Sequence, residues 1–157
     1  MELSKAIEKT IALFQNNSHE SDDVIISKLI GLGVDEKLAG RLVNFISSAF
    51  CRVLYENSGV TFQYYYLFHN GRGNVSEPQL LIDEPIFASA YKIAKSKLNP
   101  DQINDSFLAV ASRDAEYKVI QQFIENGSKL ENVELSPICI YNPDYFYLTK
   151  KWWEIWK

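Results

Sequence analysis

The sequence contains little of what metal sites and disulfide-stabilised proteins require. Two cysteines, Cys51 and Cys139, and two histidines occur in 157 residues. The cysteines lie far apart, and no cysteine or histidine stands at the short spacing of a zinc site. The sequence therefore predicts no metal and no disulfide. Both cysteines are expected to be reduced and buried, as small apolar side chains of a cytosolic protein.

Motifs of catalysis and cofactor binding are also missing. The glycine-containing segment 71–74 is too short for a phosphate cradle, and segment 31–33 lacks the third glycine of a dinucleotide fingerprint. No spacing in the sequence favours a cysteine acting with His69 and Asp83 as nucleophile, base and orienting carboxylate. The sequence therefore predicts no cofactor and no catalytic residue.

Long apolar runs and an excess of positive charge are absent too. No run approaches the roughly 20 residues of a membrane-spanning helix, and the first residues lack the regions of a signal peptide. The chain has 16 basic and 20 acidic residues, a net charge of -4 and a pI near 5.2. Its basic residues are scattered, which argues against a nucleic-acid groove. We therefore expect a cytoplasmic protein with no membrane span and no nucleic-acid partner.

The dominant pattern is a long apolar helix followed by an aromatic strand. Apolar residues recur at helical spacing over 35–56 and cover most of the circumference, which predicts a central buried helix with one polar strip in water. Asp35 is expected to cap its start. Residues 60–69 alternate with a period of two, which predicts a central or half-covered strand packed on this helix.

Further elements follow from amphipathic spacing and helix-start residues. Helices are predicted over 3–14, over 86–98 after Asp83-Glu84-Pro85, and over 113–126 after the cap Ser112. A further short helix is predicted after the cap Ser21, and its buried side is expected to consist of Val24, Ile25, Ile26, Leu29 and Ile30. Phe107–Ala111 is too short to assign. Strand-like runs occur at 79–82 and at 133–141, where Pro137 favours a sheet edge. The predicted fold class is α+β, with about five helices packed on a small, mainly antiparallel sheet.

The end of the chain is rich in aromatic residues. All three tryptophans lie there together with two of the tyrosines, giving the candidate partner-binding residues Tyr145, Tyr147, Trp152, Trp153 and Trp156. Such residues supply large contact areas at protein interfaces. The alternative is that they dock on the globular part and cover an apolar patch. We expect one globular domain over 1–142 and a tail over 143–157 that docks on it.

Two functions remain open from the sequence. The favoured one is a non-catalytic cytosolic protein-binding module, such as an inhibitor, adaptor or immunity-type protein, whose acidic surface or aromatic tail recognises a protein partner. A basic partner would suit the charge of the chain, and a homodimer is left open. The alternative is a small enzyme or ligand-binding domain. Its pocket would lie near His69 and the 70–78 loop, where His69 and Arg72 form a candidate polar site.

Overall fold

The computed structural model describes residues 2–57, 65–125 and 137–141. Within these ranges the chain forms six α-helices, three strands and one 3₁₀ turn. The helices are α1 (Leu3–Asn16), α2 (Asp22–Gly31), α3 (Glu36–Asn57), α4 (Pro85–Lys97), α5 (Asp105–Ala111) and α6 (Tyr117–Glu125). The strands are β1 (Tyr65–His69), β2 (Gln79–Leu80) and β3 (Ile138–Tyr141), and the 3₁₀ turn Leu81–Asp83 joins β2 to α4. The predicted α+β fold class is confirmed.

Helix α3 is the centre of the fold. It contacts α1, α2, α4, α5 and β3, and every residue from Phe45 to Cys51 is buried. Its start lies where the sequence predicts it, because Asp35 Oδ2 accepts a hydrogen bond from the N–H of Lys37 at 3.1 Å. Tyr66 of β1 packs its ring edge-on against Phe45, with 5.3 Å between the centroids. The predicted packing of an aromatic strand on this helix is therefore confirmed for the described part of the strand.

The predicted polar strip of α3 is only partly in water. Ser48 is buried, and Arg41 pairs with Glu84 just before α4. The guanidinium of Arg52 lies 5.9 Å from the ring centroid of Tyr91 on α4. Neighbouring segments therefore cover part of this strip, whereas Lys37 and Asn44 stay exposed. This is a result of tertiary packing that helical periodicity does not reveal.

Side-chain caps explain where three other helices begin. Ser21 Oγ accepts a hydrogen bond from the N–H of Val24 at 3.4 Å and caps α2 as predicted. The predicted start of α4 is also confirmed, with Glu84 as its cap and Pro85 in its first turn. Asn104 Oδ1 accepts the N–H of Phe107 at 2.9 Å. This cap begins α5, so the short apolar segment that the sequence leaves unassigned is helical.

The helix predicted over 113–126 begins later than expected, at Tyr117. Ser112 is the C-terminal cap of α5, so its assignment as an N-cap was wrong. Residues 112–116 form a turn instead. Within this turn Asp114 Oδ1 accepts the N–H of Glu116 at 2.8 Å, and such local side-chain bonds to the backbone compete with helix formation.

The sheet has the order β2-β1-β3, so β1 is central and β3 lies at an edge, as expected. β1 pairs antiparallel with β2 but parallel with β3. The mainly antiparallel sheet predicted from the sequence is therefore a mixed one. Parallel neighbours need a long crossover connection, and here the chain passes through α4, α5 and α6 between β1 and β3.

The two cysteines differ in their surroundings. Cys51 is buried in α3 as predicted, but Cys139 is exposed, which contradicts the expectation for that residue. Successive side chains of a strand point to opposite faces, and its neighbour Ile140 takes the buried face of β3. Among the described helices, none has the length and apolar character needed to cross a membrane.

Candidate functional site

The turn after β1 is built around the side chain of Asn70. Its Oδ1 accepts hydrogen bonds from the N–H groups of Arg72 at 2.8 Å and of Asn74 at 3.2 Å. Gly71 and Gly73 adopt positive φ angles of 75° and 93°, a backbone conformation that glycine tolerates best. The turn is thus fixed by local hydrogen bonds and by its glycines.

His69 and Arg72 do not form a catalytic arrangement in this turn. The ring of His69 lies 5.6 Å from the ring of Tyr141 on β3, centroid to centroid, and Arg72 is exposed. Among the described residues, no hydrogen bond or ion pair joins either side chain to a carboxylate. General acid–base catalysis would require such a partner within hydrogen-bond reach, so this pair does not provide a site on its own.

The aromatic residues Tyr145, Tyr147, Trp152, Trp153 and Trp156 lie outside the described residues. Their role in partner binding stays a prediction, as do the domain over 1–142 and the docked tail over 143–157. In the described ranges, no group of three or more histidine, cysteine or acidic residues is arranged to hold a metal ion.

A cleft of about 200 Å³ lies between α1, α4 and α5. It is lined by Gln15, Phe50, Lys97, Asn104, Ser106 and Phe107. Both phenylalanines are buried, and their rings pack at 4.9 Å from each other. The cleft therefore has an aromatic floor with polar groups around it, and it is smaller than the roughly 300 to 1,000 Å³ of usual ligand pockets. It does not include His69 or Arg72.

Some apolar residues of α2 that the sequence places in the core are exposed. Ile25 and Leu29 are fully buried, but Val24, Ile30 and the following Leu32 are between 40 and 46% exposed. The expectation that Val24 and Ile30 belong to the buried side was therefore wrong. α2 packs on α1 and α3 mainly through one narrow stripe, because Ile25 and Leu29 stand one helical turn apart.

Carboxylates flank these apolar residues. Asp23 and Glu36 are exposed and have no ion pair with another described residue. Two nearby cations, Lys28 and Arg113, are already paired with carboxylates at 2.7 and 3.0 Å. We call this region the acidic α2 surface and define it by Asp23, Ile30, Leu32, Asp35 and Glu36. It combines exposed apolar area with negative charge. Net charge was its only signal in the sequence, because helical periodicity places Ile30 in the core.

A buried polar group lies beneath the turn between α5 and α6. The carboxyl group of Asp114 is buried, and its Oδ2 atom and the Oγ atom of Ser48 have no hydrogen-bond partner among the described residues. Burial raises the pKa of the Asp114 carboxyl, and this rise is opposed in part by the N–H of Glu116 and by the nearby Ser48 hydroxyl. An unsatisfied buried carboxylate is costly, so we expect this group to take up a proton more readily than an exposed one.

Comparison with protein-family models, with curated proteins and with solved structures found no match to this chain. Evidence for function therefore comes from the chain's own geometry. Within the described residues, two features stand out: the acidic α2 surface and the buried Asp114.

Proposed function

We propose that this protein is a non-catalytic protein-binding module whose acidic α2 surface recognises a basic protein partner. The observation that supports this function is the exposure of Ile30 and Leu32 beside carboxylates that lack ion-pair partners in the described structure. An inhibitor, adaptor or immunity-type protein would act in this way, without chemistry of its own.

The surface has the physical features that protein recognition needs. Exposed apolar residues with polar groups around them, here Ile30 and Leu32, are typical of interaction sites. Ile25 and Leu29 anchor the helix to the core from the opposite side, so the exposed side chains are presented by a firmly packed element. Apolar contact would supply affinity, while the carboxylates would speed the encounter with a positively charged surface and fix its orientation.

A second copy of the same chain is a poor occupant for this surface. In a symmetric dimer the same patch contributes from both subunits, so Asp23 and Glu36 would face a surface of their own charge. Like charges across an interface oppose association. A partner of opposite charge therefore fits better than self-association through α2. The aromatic residues of the tail remain a second predicted contact region.

The test is affinity capture from a lysate of the source cells, with the full-length chain as bait. Two surface variants are compared with the unmodified chain: Ile30→Ser with Leu32→Ser, and Asp23→Lys with Glu36→Lys. Matched controls carry Val119→Ser or Asp101→Lys, because these residues are also exposed but lie outside the α2 surface. Thermal unfolding checks that all variants fold, since exposed substitutions usually change stability by only about 0.5 kcal/mol.

We expect one partner of net positive charge to be retained by the unmodified chain and by both controls. Each surface variant should lose at least about ten-fold in affinity, equivalent to about 1.4 kcal/mol, and binding should weaken as salt screens the carboxylates. A partner that is acidic, or one that all five chains retain equally, would contradict the proposal. Failure of every folded bait to retain a basic partner would also count against it.

A further inference from the structure

The turn formed by residues 112–116 is fastened to the rest of the protein by two adjacent side chains. The first is Arg113, whose guanidinium donates to Asp22 Oδ1 at 3.0 Å and to the carbonyl oxygen of Asn17 at 2.9 Å. It also lies 4.6 Å from the centroid of the Phe14 ring. Arg113 therefore ties the turn to α1 and α2 through charge, hydrogen bonding and a cation–π contact.

The second side chain is Asp114, which is buried towards Ser48 of α3. Asp114 Oδ1 is satisfied by the N–H of Glu116 at 2.8 Å. Asp114 Oδ2 and Ser48 Oγ are both buried and have no hydrogen-bond partner among the described residues. A neutral carboxyl can remain buried here at small cost, but an ionised one loses its hydration, and the N–H of Glu116 and the Ser48 hydroxyl offset that loss only in part.

The groups around Asp114 do not supply a balancing cation. On α3 the Tyr55 hydroxyl lies close enough for the charge of Asp114 to add to burial in raising its pKa, and it donates to the carbonyl oxygen of Tyr117 at 2.7 Å. The hydroxyls of Tyr55 and Tyr117 are neutral at physiological pH with their ordinary pKa of about 10, and burial raises the pKa of both further. None of these side chains can balance a negative charge on Asp114.

The remaining charged neighbours make ionisation no easier. Glu116 in the same turn has its pKa raised by burial and then by the charge of Asp114, so the two carboxyl groups repel each other. Glu125 at the end of α6 adds a further acidic group, which helps to raise the pKa of Tyr55 and of Tyr117. Arg113 is the adjacent cation, but its guanidinium is engaged with Asp22 and Asn17.

We propose that Asp114 acts as a pH-sensitive latch: its neutral carboxyl keeps turn 112–116 closed against α3, and its ionisation releases the turn to water. This inference does not rest on the proposed partner-binding function. Release of the turn would also break the contact between Arg113 and Asp22, so opening would be detectable at the start of α2 as well as at the turn itself.

The direction of the pH effect follows from the burial of the carboxyl. The pKa of Asp114 is raised in the closed form, whereas in the open turn it would return towards the ordinary value of about 4. Closure is therefore fully favoured below that ordinary value. It weakens as the pH rises through the pKa of the closed form, and above that point it changes no further.

The experiment is hydrogen–deuterium exchange of the full-length chain at several pH values, corrected for the intrinsic exchange rate. The amides of Ser112, Glu116 and Tyr117 report on the turn, because each is hydrogen-bonded in the closed form. We expect their protection to fall at least three-fold as Asp114 ionises. Asp114→Asn keeps the shape and removes the charge, so the three-fold fall should be lost even though Glu116 still titrates. Asp105→Asn, an exposed carboxylate of α5, is the control and should behave like the unmodified chain.

The second measurement is carbon NMR titration of the Asp114 carboxyl in the unmodified chain. It tests the latch even if Asp114→Asn does not fold. The latch predicts that this carboxyl titrates above the ordinary aspartate value of about 4. The proposal would be overturned if it titrated at or below that value. It would also be overturned if the pH dependence of protection were the same in Asp114→Asn and in the unmodified chain.

Discussion

Arg41 and Glu84 form an ion pair that joins α3 to the start of α4. Arg41 Nη2 donates to Glu84 Oε1 at 2.8 Å, and Glu84 Oε2 accepts the N–H of Phe87, also at 2.8 Å. One carboxylate therefore caps α4 and binds the central helix at the same time. The partners are unequal, because the side chain of Glu84 is 1% exposed and that of Arg41 is 36% exposed.

This inequality predicts which partner is more costly to remove. Arg41→Met would leave the charge of Glu84 buried without a cation, and we expect the free energy of unfolding to fall by about 3 kcal/mol. Glu84→Gln keeps an acceptor for the cap and leaves Arg41 free to reach water, so the expected loss is about 1 kcal/mol. Urea unfolding of both variants measures the difference. A larger loss for Glu84→Gln than for Arg41→Met would contradict this explanation.

Tyr91 on α4 binds Glu56 on α3 at the far end of the same helix pair. The Tyr91 hydroxyl donates to Glu56 Oε2 at 2.5 Å, and Arg52 Nε donates to the other oxygen at 2.7 Å. Tyr91→Phe should lower the free energy of unfolding by about 1 kcal/mol. The loss should be smaller when Glu56→Gln is already present, and thermal unfolding of the double-mutant cycle measures this coupling.

Tyr141→Phe is the matched control for this change. Tyr141 is exposed, and its hydroxyl has no hydrogen-bond partner in the described ranges. Its replacement should change stability by less than about 0.5 kcal/mol. Equal effects at Tyr91 and Tyr141, or additive effects at Tyr91 and Glu56, would show that the observed hydrogen bond does not stabilise the helix pair.

Replacing two of the glycines by alanine should change the stability of the protein in opposite directions. Gly40 lies within α3, and a Cβ added there meets no atom within 4 Å, so Gly40→Ala should raise stability by up to about 1 kcal/mol through higher helix propensity. Gly73 has equal space but a φ of +93°, and Gly73→Ala should cost about 1 kcal/mol in backbone strain. Chemical denaturation tests both. The same sign for the two variants would exclude backbone conformation as the cause.

The sequence predicts the elements that local chemistry determines. The helices that begin near Asp35, Ser21 and Pro85 are found where expected, because a cap and a continuous apolar period act together there. The predicted start of α6 was wrong because the Asp114 side chain accepts a hydrogen bond from the backbone N–H of Glu116. This bond forms a turn where apolar spacing alone predicts a helix.

Features that depend on distant parts of the chain were not predictable in the same way. The parallel pairing of β1 with β3 joins residues separated by three helices. The exposure of Val24 and Ile30 depends on how α2 sits on its neighbours, which the composition of α2 does not reveal. Of the sequence-predicted site residues, His69 and Arg72 lie in the described turn but form no site together, and the tail residues stay a prediction.

The most direct test of the acidic α2 surface as a partner-binding surface is site-specific photo-crosslinking with the full-length chain. A benzophenone amino acid replaces Ser27, which is exposed on α2, or Ser89, which is exposed on α4. We predict that only the probe at position 27 forms a covalent product with a basic protein, and that high salt reduces its yield. An equal product from position 89, or a product from position 27 with an acidic protein alone, would contradict this account.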